Sequence, residues 1–425
     1  MKFEKYILLI SLICLLLNAP LAYAEPLVPD IDSEAYVLLD ASNGQVLYEK
    51  NSDLKLYPAS TTKIMTAIVA LENGKLDQRM TAGQAAIDDI GPGGMNIGIM
   101  PGEELTLEDL LNALLVRSAN ETAYIIADNL CNTRQDFVDL MNKKATDLGL
   151  VNTYFVNPCG MDQEKPTEKH LTTASDLSKI ALYAMKIPKF REIVGKKNCT
   201  LPPTNKHPDA VTLTSTNKLI TNDIYNPYPL SIVTGIKTGY TDKAGHNLVS
   251  SARSDNGSEL ISVILGVKNQ SADKVFEYSK VLLNFGFKNF TPHRIVTRGE
   301  FIKSISVDGA FGKNSVALLA ADDLNAMFPN GVATPEIEKI EYIKSVAKAP
   351  VLLGDPIGFI EYRANGQMLG KVSILAAEDV PGSAFMQTVG RVVWQIIQIT
   401  SIALLILVIL RGILRKLSRR ANARY

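Results

Sequence analysis

Histidine is scarce: the chain has four, His170, His207, His246 and His293. None stands in a His-Glu-x-x-His motif and no Gly-x-Ser-x-Gly elbow is present, which sets aside a zinc peptidase and a serine–histidine–acid triad. A Walker phosphate loop is also missing. The nearest approach to a dinucleotide fingerprint, "GPGGMNIG", has Asn96 where the last glycine should stand and follows no clear buried strand, so it reads as a loop. Excess charge is lacking too. The 44 basic residues balance 44 acidic ones, and bulk electrostatics therefore favour neither nucleic acid nor a strongly acidic substrate. Cysteine is sparse: Cys14 lies in an N-terminal apolar run, and Cys131, Cys159 and Cys199 have no Cys-x-x-Cys spacing. At most one disulfide is expected, and no metal or organic cofactor is implied.

Apolar residues gather at the two ends. The chain opens "MKFEKYILLISLICLLLNAPLAYAEP", with two lysines, an apolar run from Tyr6 to Leu17, and then Ala22-Tyr23-Ala24, the small-x-small pattern cut by signal peptidase. Residues 1–24 are expected to be a removed export signal. An uncleaved membrane helix is the alternative, but the run falls short of the ~20 residues a bilayer requires. At the other end "VVWQIIQITSIALLILVILRGILRKLSRRANARY" begins with Trp394 at an interface-like position and is almost wholly apolar to Leu410. It then brings Arg411, Arg415, Lys416, Arg419, Arg420 and Arg424 without an acid. Positive flanks stay on the cytoplasmic side. Residues 392–410 are thus expected to span the membrane once, with 411–425 as a basic cytoplasmic tail and most of the chain outside. Gln395, Gln398, Thr400 and Ser401 would suit an amphipathic helix lying on the surface instead, yet no polar face continues from 402 to 410.

Between these ends, about 360 residues are enough for two domains. A boundary is expected near "NFGFKNFTPHRI", where the helical pattern stops and Pro292 breaks the chain, dividing 25–288 from 289–382. In the first part "AYVLLDASNGQVLYEK" predicts a hairpin turning at Asn43-Gly44. "TLEDLLNALLV" spaces Leu107, Leu110, Leu111, Leu114 and Leu115 on one helix face, with Thr106 and Asp109 marking its start. "SIVTGIKTGYT" and "HNLVSSARSDNGSELISVILGV" predict three successive antiparallel strands. After Pro292, "FIKSISVDG", "EIEKIEYIKS" and "IGFIEYRANGQMLGKVSILAA" are short strands of a small β domain.

Without a histidine base, a hydrolase can use a lysine, provided burial or a neighbouring cation removes its proton. "YPASTTKIM" puts Ser60 and Lys63 one turn apart at the start of an apolar helix. Alone this is weak, because Ser-x-x-Lys recurs from Ser52, Ser215, Ser271 and Ser345. Two further elements strengthen it: Ser118-Ala119-Asn120 at the turn between two apolar helices, and Lys237-Thr238-Gly239 on a strand. The three, in this order, are the signature set of penicillin-recognising serine enzymes.

The surrounding residues narrow the family. "YPASTTKIMTAIVALENGKLD", "PGEELTLEDLLNALLVRSANETA", "NTYFVNPCGMD" and "GIKTGYTDKAGHNLVSSA" closely resemble D-alanyl-D-alanine carboxypeptidases, the low-molecular-weight penicillin-binding proteins, from about residue 27 to about residue 380. The resemblance implies an α+β fold: a β-lactamase/DD-peptidase-like catalytic domain of antiparallel sheet with helices, then a small β-rich domain; the C-terminal transmembrane helix expected from the apolar run departs from the amphipathic anchor frequent in that family. It implies removal of the terminal D-alanine from peptidoglycan stem peptides, with β-lactams acylating the same serine. Ser60 would be the nucleophile and Lys63 its base. Ser118 would relay the proton and Asn120 hold the substrate amide. Lys237 and Thr238 would bind the terminal carboxylate, Gly239 would admit a substrate backbone, and Tyr240 would give the second oxyanion N–H. Lys268 stands where several relatives use an arginine for the carboxylate. Cys159 and Met161 replace the histidine and leucine of "NPHGL", and Glu121 replaces a common aspartate. A β-lactamase, a DD-endopeptidase or a non-catalytic penicillin-binding receptor are the alternatives. No glutamate motif for a lactamase water is convincing, and the tail carries no recognisable signalling domain.

Overall fold

Alternation along the first strand accounts for the layering of the first half. Strand β1 (Ala35–Asp40) is buried at every position, because Ala35, Val37 and Leu39 face one hydrophobic core while Tyr36 and Leu38 face another. A strand buried on both faces needs cover on both. The first core is completed by helices α1 (Lys63–Asn73), α2 (Leu107–Asn112), α3 (Asn120–Leu130) and α4 (Ala174–Ala184). The second is completed by α5 (Lys274–Asn289), through Leu282, Leu283 and Phe285.

The computed structural model describes residues 29–421 apart from 92, 163–168, 222–230 and 269; the expected export signal lies outside the described residues. The chain divides into two compact units, Met1–His293 with Ala326–Thr334, and Arg294–Asn325 with Pro335–Tyr425. In the first, β1 pairs antiparallel with β2 (Val46–Lys50) across the expected Asn43-Gly44 turn, where Gly44 has φ +82°. β3 (Ser231–Thr241), β4 (Gly245–Ser254) and β5 (Glu259–Val267) follow as antiparallel neighbours, in the sheet order β2-β1-β5-β4-β3. β3, which carries Lys-Thr-Gly, is therefore an edge strand. The fold is α+β, as expected. Segment Ala326–Thr334 belongs to this unit, and Gln45 bonds both the N–H and the C=O of Met327 at 2.8 Å.

The leucine stripe from 107 to 115 differs from one plain α-helix. Thr106 and Asp109 form the expected capping box, but at Ala113 the backbone widens into a π-turn that runs to Arg117. It ends on Ser118 in the left-handed conformation, φ +68°. The apolar face is uninterrupted, so periodicity could not reveal the extra residue in the turn. Such insertions frequently mark functional sites.

In the second unit β6 (Phe301–Asp308), β7 (Ser315–Ala320), β8 (Glu338–Ile343), β9 (Val346–Lys348), β10 (Pro356–Ala364) and β11 (Gln367–Ala376) form one sheet, ordered β8-β10-β11-β7-β6-β9. β7 and β9 were not expected from the sequence. Helix α6 (Ser383–Ala421) follows, and its stretch Thr388–Arg415, whose most apolar 18 residues have mean hydropathy 2.4, is long and apolar enough to cross a membrane.

Candidate active site

Ser60 sits in a single 3-10 turn, Ala59–Thr62, that runs directly into α1. Ala59 takes φ +49°, a conformation costly for a residue with a Cβ. Several bonds hold it there. Asn247 on β4 donates to Tyr57 O (2.9 Å) and Pro58 O (3.1 Å) while its Oδ1 accepts Gly266 N–H at 2.9 Å. Thr61 Oγ1 donates to Pro58 O at 2.6 Å.

From the far side, the segment 154–160 is fastened to the same turn. Gly160 lies so close that a Cβ there would stand 1.9 Å from Ala59 O. Thr66 Oγ1 donates to Pro158 O at 2.5 Å. The buried ring of His170 completes the attachment. Its Nδ1 accepts Val156 N–H at 3.2 Å, so the proton rides on Nε2, which donates to Thr62 Oγ1 at 2.9 Å. Burial pushes this imidazole down to about 4.

Lys63, fully buried, brings its Nζ to 2.8 Å from Ser60 Oγ. Its other partners are Asn120 Oδ1 at 2.7 Å and Cys159 O at 2.8 Å. Both are acceptors only, so each must take an N–H. A neutral amine has two such hydrogens and one lone pair, and the lone pair is left for the Ser60 hydroxyl. Burial lowers the Lys63 amine to about 8, against the opposing fields of Cys159 and Glu121. Lys237 is also buried and donates to Thr238 O at 3.0 Å. Burial, then repulsion from Lys63, holds its amine well below the ordinary lysine range. A proton on either amine disfavours one on the other.

Ser60, Ser118, Asn120, Thr238, Gly239 and Tyr240 line one cleft of about 300 Å³. Neither lysine bonds to Ser118: those of Lys63 go to Ser60, Asn120 and Cys159, and that of Lys237 to Thr238 O. Asn120 opens α3, whose Glu121 is buried with Oε1 accepting Ile97 N–H at 2.7 Å and Oε2 unpartnered among the described residues. Burial raises this carboxyl.

Gly239 answers a packing need that the motif alone does not disclose. A Cβ there would meet Pro58 O at 3.0 Å, Thr61 N at 3.1 Å and Ser60 N at 3.2 Å, so the edge strand presses against the turn that carries Ser60. Tyr240 is 54% exposed and stacks on His246 at 4.4 Å between ring centroids. Lys268 is not among the lining residues; it pairs with Glu34 at 2.6 Å.

Sequence reasoning missed His170, Asn247 and Thr216, whose Oγ1 lies 2.7 Å from Thr238 Oγ1. It also missed the carbonyl of Cys159, and took the 91–98 run for an ordinary loop. That loop forms a wall of the cleft through Gly93 and Met95, and Met95 O accepts Asn120 N–H at 2.8 Å.

A half-buried serine beside a buried amine, an asparagine amide on the same amine, and the edge strand of the sheet alongside define a penicillin-recognising serine enzyme. Residues 22–269 match the family described as D-alanyl-D-alanine carboxypeptidase, and residues 290–382 match the C-terminal domain of penicillin-binding protein 5. The chain belongs to the D-alanyl-D-alanine carboxypeptidase family, and is an enzyme of the serine peptide-hydrolase type. It is 30% identical to the D-alanyl-D-alanine carboxypeptidase DacF of Bacillus subtilis, over 85% of this chain and 89% of that one. Against the D-alanyl-D-alanine carboxypeptidase DacA of Haemophilus influenzae it is 31% identical, over 83% and 86%. The crystal structure of penicillin-binding protein 5 from Haemophilus influenzae superposes with a TM-score of 0.67 at 28% identity, covering 84% of this chain and 100% of that one.

Proposed function

We propose that the chain removes the terminal D-alanine from peptidoglycan stem pentapeptides through an acyl-enzyme on Ser60, and that β-lactams acylate the same oxygen. The observation that carries this is the Lys63 amine, 2.8 Å from Ser60 Oγ with its remaining hydrogens committed to Asn120 Oδ1 and Cys159 O. Lys63 takes the hydroxyl proton, and Ser60 Oγ attacks the carbonyl of the penultimate D-alanine. The N–H groups of Ser60 and Tyr240 receive the developing oxyanion. Ser118 passes the proton from Lys63 to the leaving nitrogen, the C–N bond breaks, and free D-alanine departs. Water, deprotonated by the same amine, then hydrolyses the ester and restores Ser60.

Thr238, on the cleft wall, hydrogen-bonds the substrate's terminal carboxylate, with Thr216 orienting its hydroxyl and Lys237, buried behind the wall, supplying the attracting charge. A carboxylate beside Lys237 fixes a proton there, and repulsion then favours a neutral Lys63. Binding of the correct substrate thus arms the base. Lys268, tied to Glu34 and away from the cleft lining, contributes long-range charge only.

In this reading residues 25–288 are the catalytic domain, 289–382 a β-rich stalk, and the C-terminal helix a single membrane span. Residues 1–24 direct export, the catalytic domain works outside the cytoplasm, and the basic 411–425 tail remains inside. The decisive experiment is release of free D-alanine from a pentapeptide by the wild type and not by Ser60→Ala. Penicillin labelling without D-alanine release would leave a receptor in its place.

A further inference from the structure

The second unit carries large apolar side chains at the end of its sheet from which α6 departs. Pairings of Asp308 with Lys348, Ser306 with Ser315, Leu318 with Ala376 and Pro356 with Leu375 bring the ends of β6, β9 and β11 and the starts of β7 and β10 to that one end. Helix α6 leaves from it, with Ser383 N–H bonded to Gly309 O at 2.8 Å. Two loops flank this exit. One, after β6, exposes Phe311 (51%); the other, between β9 and β10, exposes Leu352 (58%) and Leu353 (68%).

These tips are built to lose water. Burying a loop in an apolar phase is prohibitive when its N–H groups are left unpaired. Here Leu352 N–H bonds Asp355 Oδ2 at 2.8 Å and Leu353 N–H bonds Asp379 Oδ1 at 2.7 Å. Gly354 N–H bonds Ala376 O and Phe311 N–H bonds Pro381 O, both at 2.8 Å. Asp355 and Asp379 thus face the loop backbone and Glu378 is paired with Lys313, while Asp308, at the end of β6, is exposed. Outward remain two leucines and a phenylalanine, the side chains that suit the boundary between headgroups and acyl chains.

We propose that Phe311, Leu352 and Leu353 form a second, interfacial membrane contact of the β-rich unit, seating it on the outer leaflet beside the emerging α6. The occupant is the bilayer, because the tips border the exit of a helix apolar enough to span one. The inference rests on the reading of α6 as a span, and the test separates the two.

Trp394, the sole tryptophan, lies in α6 and reports on the span itself. The full-length protein is reconstituted in phosphatidylcholine vesicles brominated high on the acyl chain, and tryptophan emission is compared with that in unbrominated vesicles. Quenching of Trp394 in the wild type is expected. In a Trp394→Phe background, Leu353→Trp and Leu352→Trp are each expected to lose emission on bromination. Phe301→Trp, at the opposite end of β6, keeps its emission. Equal, weak quenching at 353, 352 and 301 with Trp394 quenched would overturn the interfacial contact and leave the span standing. A blue shift at 353 without bromine quenching would overturn it in favour of a second protein copy. Absence of Trp394 quenching would remove the span and the proposal together.

Discussion

A lysine that accepts a proton near neutrality must be neutral part of the time. With Lys63 lowered to about 8, roughly a tenth of molecules hold the free amine at pH 7. Since kcat/KM reports the free enzyme, acylation by penicillin is expected to rise with pH and level off above about 8. Replacing Lys63 by Arg removes the base and is expected to slow acylation by about 10²–10⁴-fold, measured by stopped-flow labelling. His170 adds an acid-side signature. Its folded value of about 4 lies below the ordinary imidazole value of 6.5, so the unfolded chain binds the extra proton between those limits. Stability is whole above pH 6.5, falls as pH drops toward about 4, and then changes no further from this group; the total is roughly 3 kcal/mol. Replacing His170 by Gln should flatten that part of a thermal-melt series while also slowing acylation, because the Thr62 contact is altered.

At the scale of elements, the contact between β3 and the 3-10 turn fixes the placement of Ser60. A methyl group at position 239 would press on the backbone of residues 58, 60 and 61. Gly239→Ala is therefore expected to cut acylation on the order of 10²-fold while leaving the melting temperature near that of the wild type. An unchanged acylation rate would show that the strand yields instead. How much of this was legible in the sequence follows from reach. Ser60 and Lys63 share one helical turn, so their spacing announces them, and the first hairpin announces itself through its Asn43-Gly44 turn. Cys159 contributes a carbonyl, which every residue type has, and Asn247 and His170 act across the tertiary fold. No local pattern encodes such contacts. The π-turn before Ser118 was hidden for a different reason, since it preserves the leucine face that periodicity reads.

On the scale of the whole molecule, the site lies entirely within the first unit and the apolar helix within the second. Removing residues 388–425 is expected to move the protein from the membrane to the soluble fraction while leaving D-alanine release from a soluble pentapeptide unchanged. Fractionation followed by the release assay checks both halves of that statement.

In the proposed reaction the edge position of β3 also sets where a bound peptide is cut. Gly239 touches the Ser60 amide region, and Thr238 is its immediate neighbour along a strand that advances about 3.3 Å per residue. In the proposed reaction the grip on the chain terminus and the point of attack are thus spaced like a short ruler. It measures off one amino acid and leaves the interior of longer strands out of register.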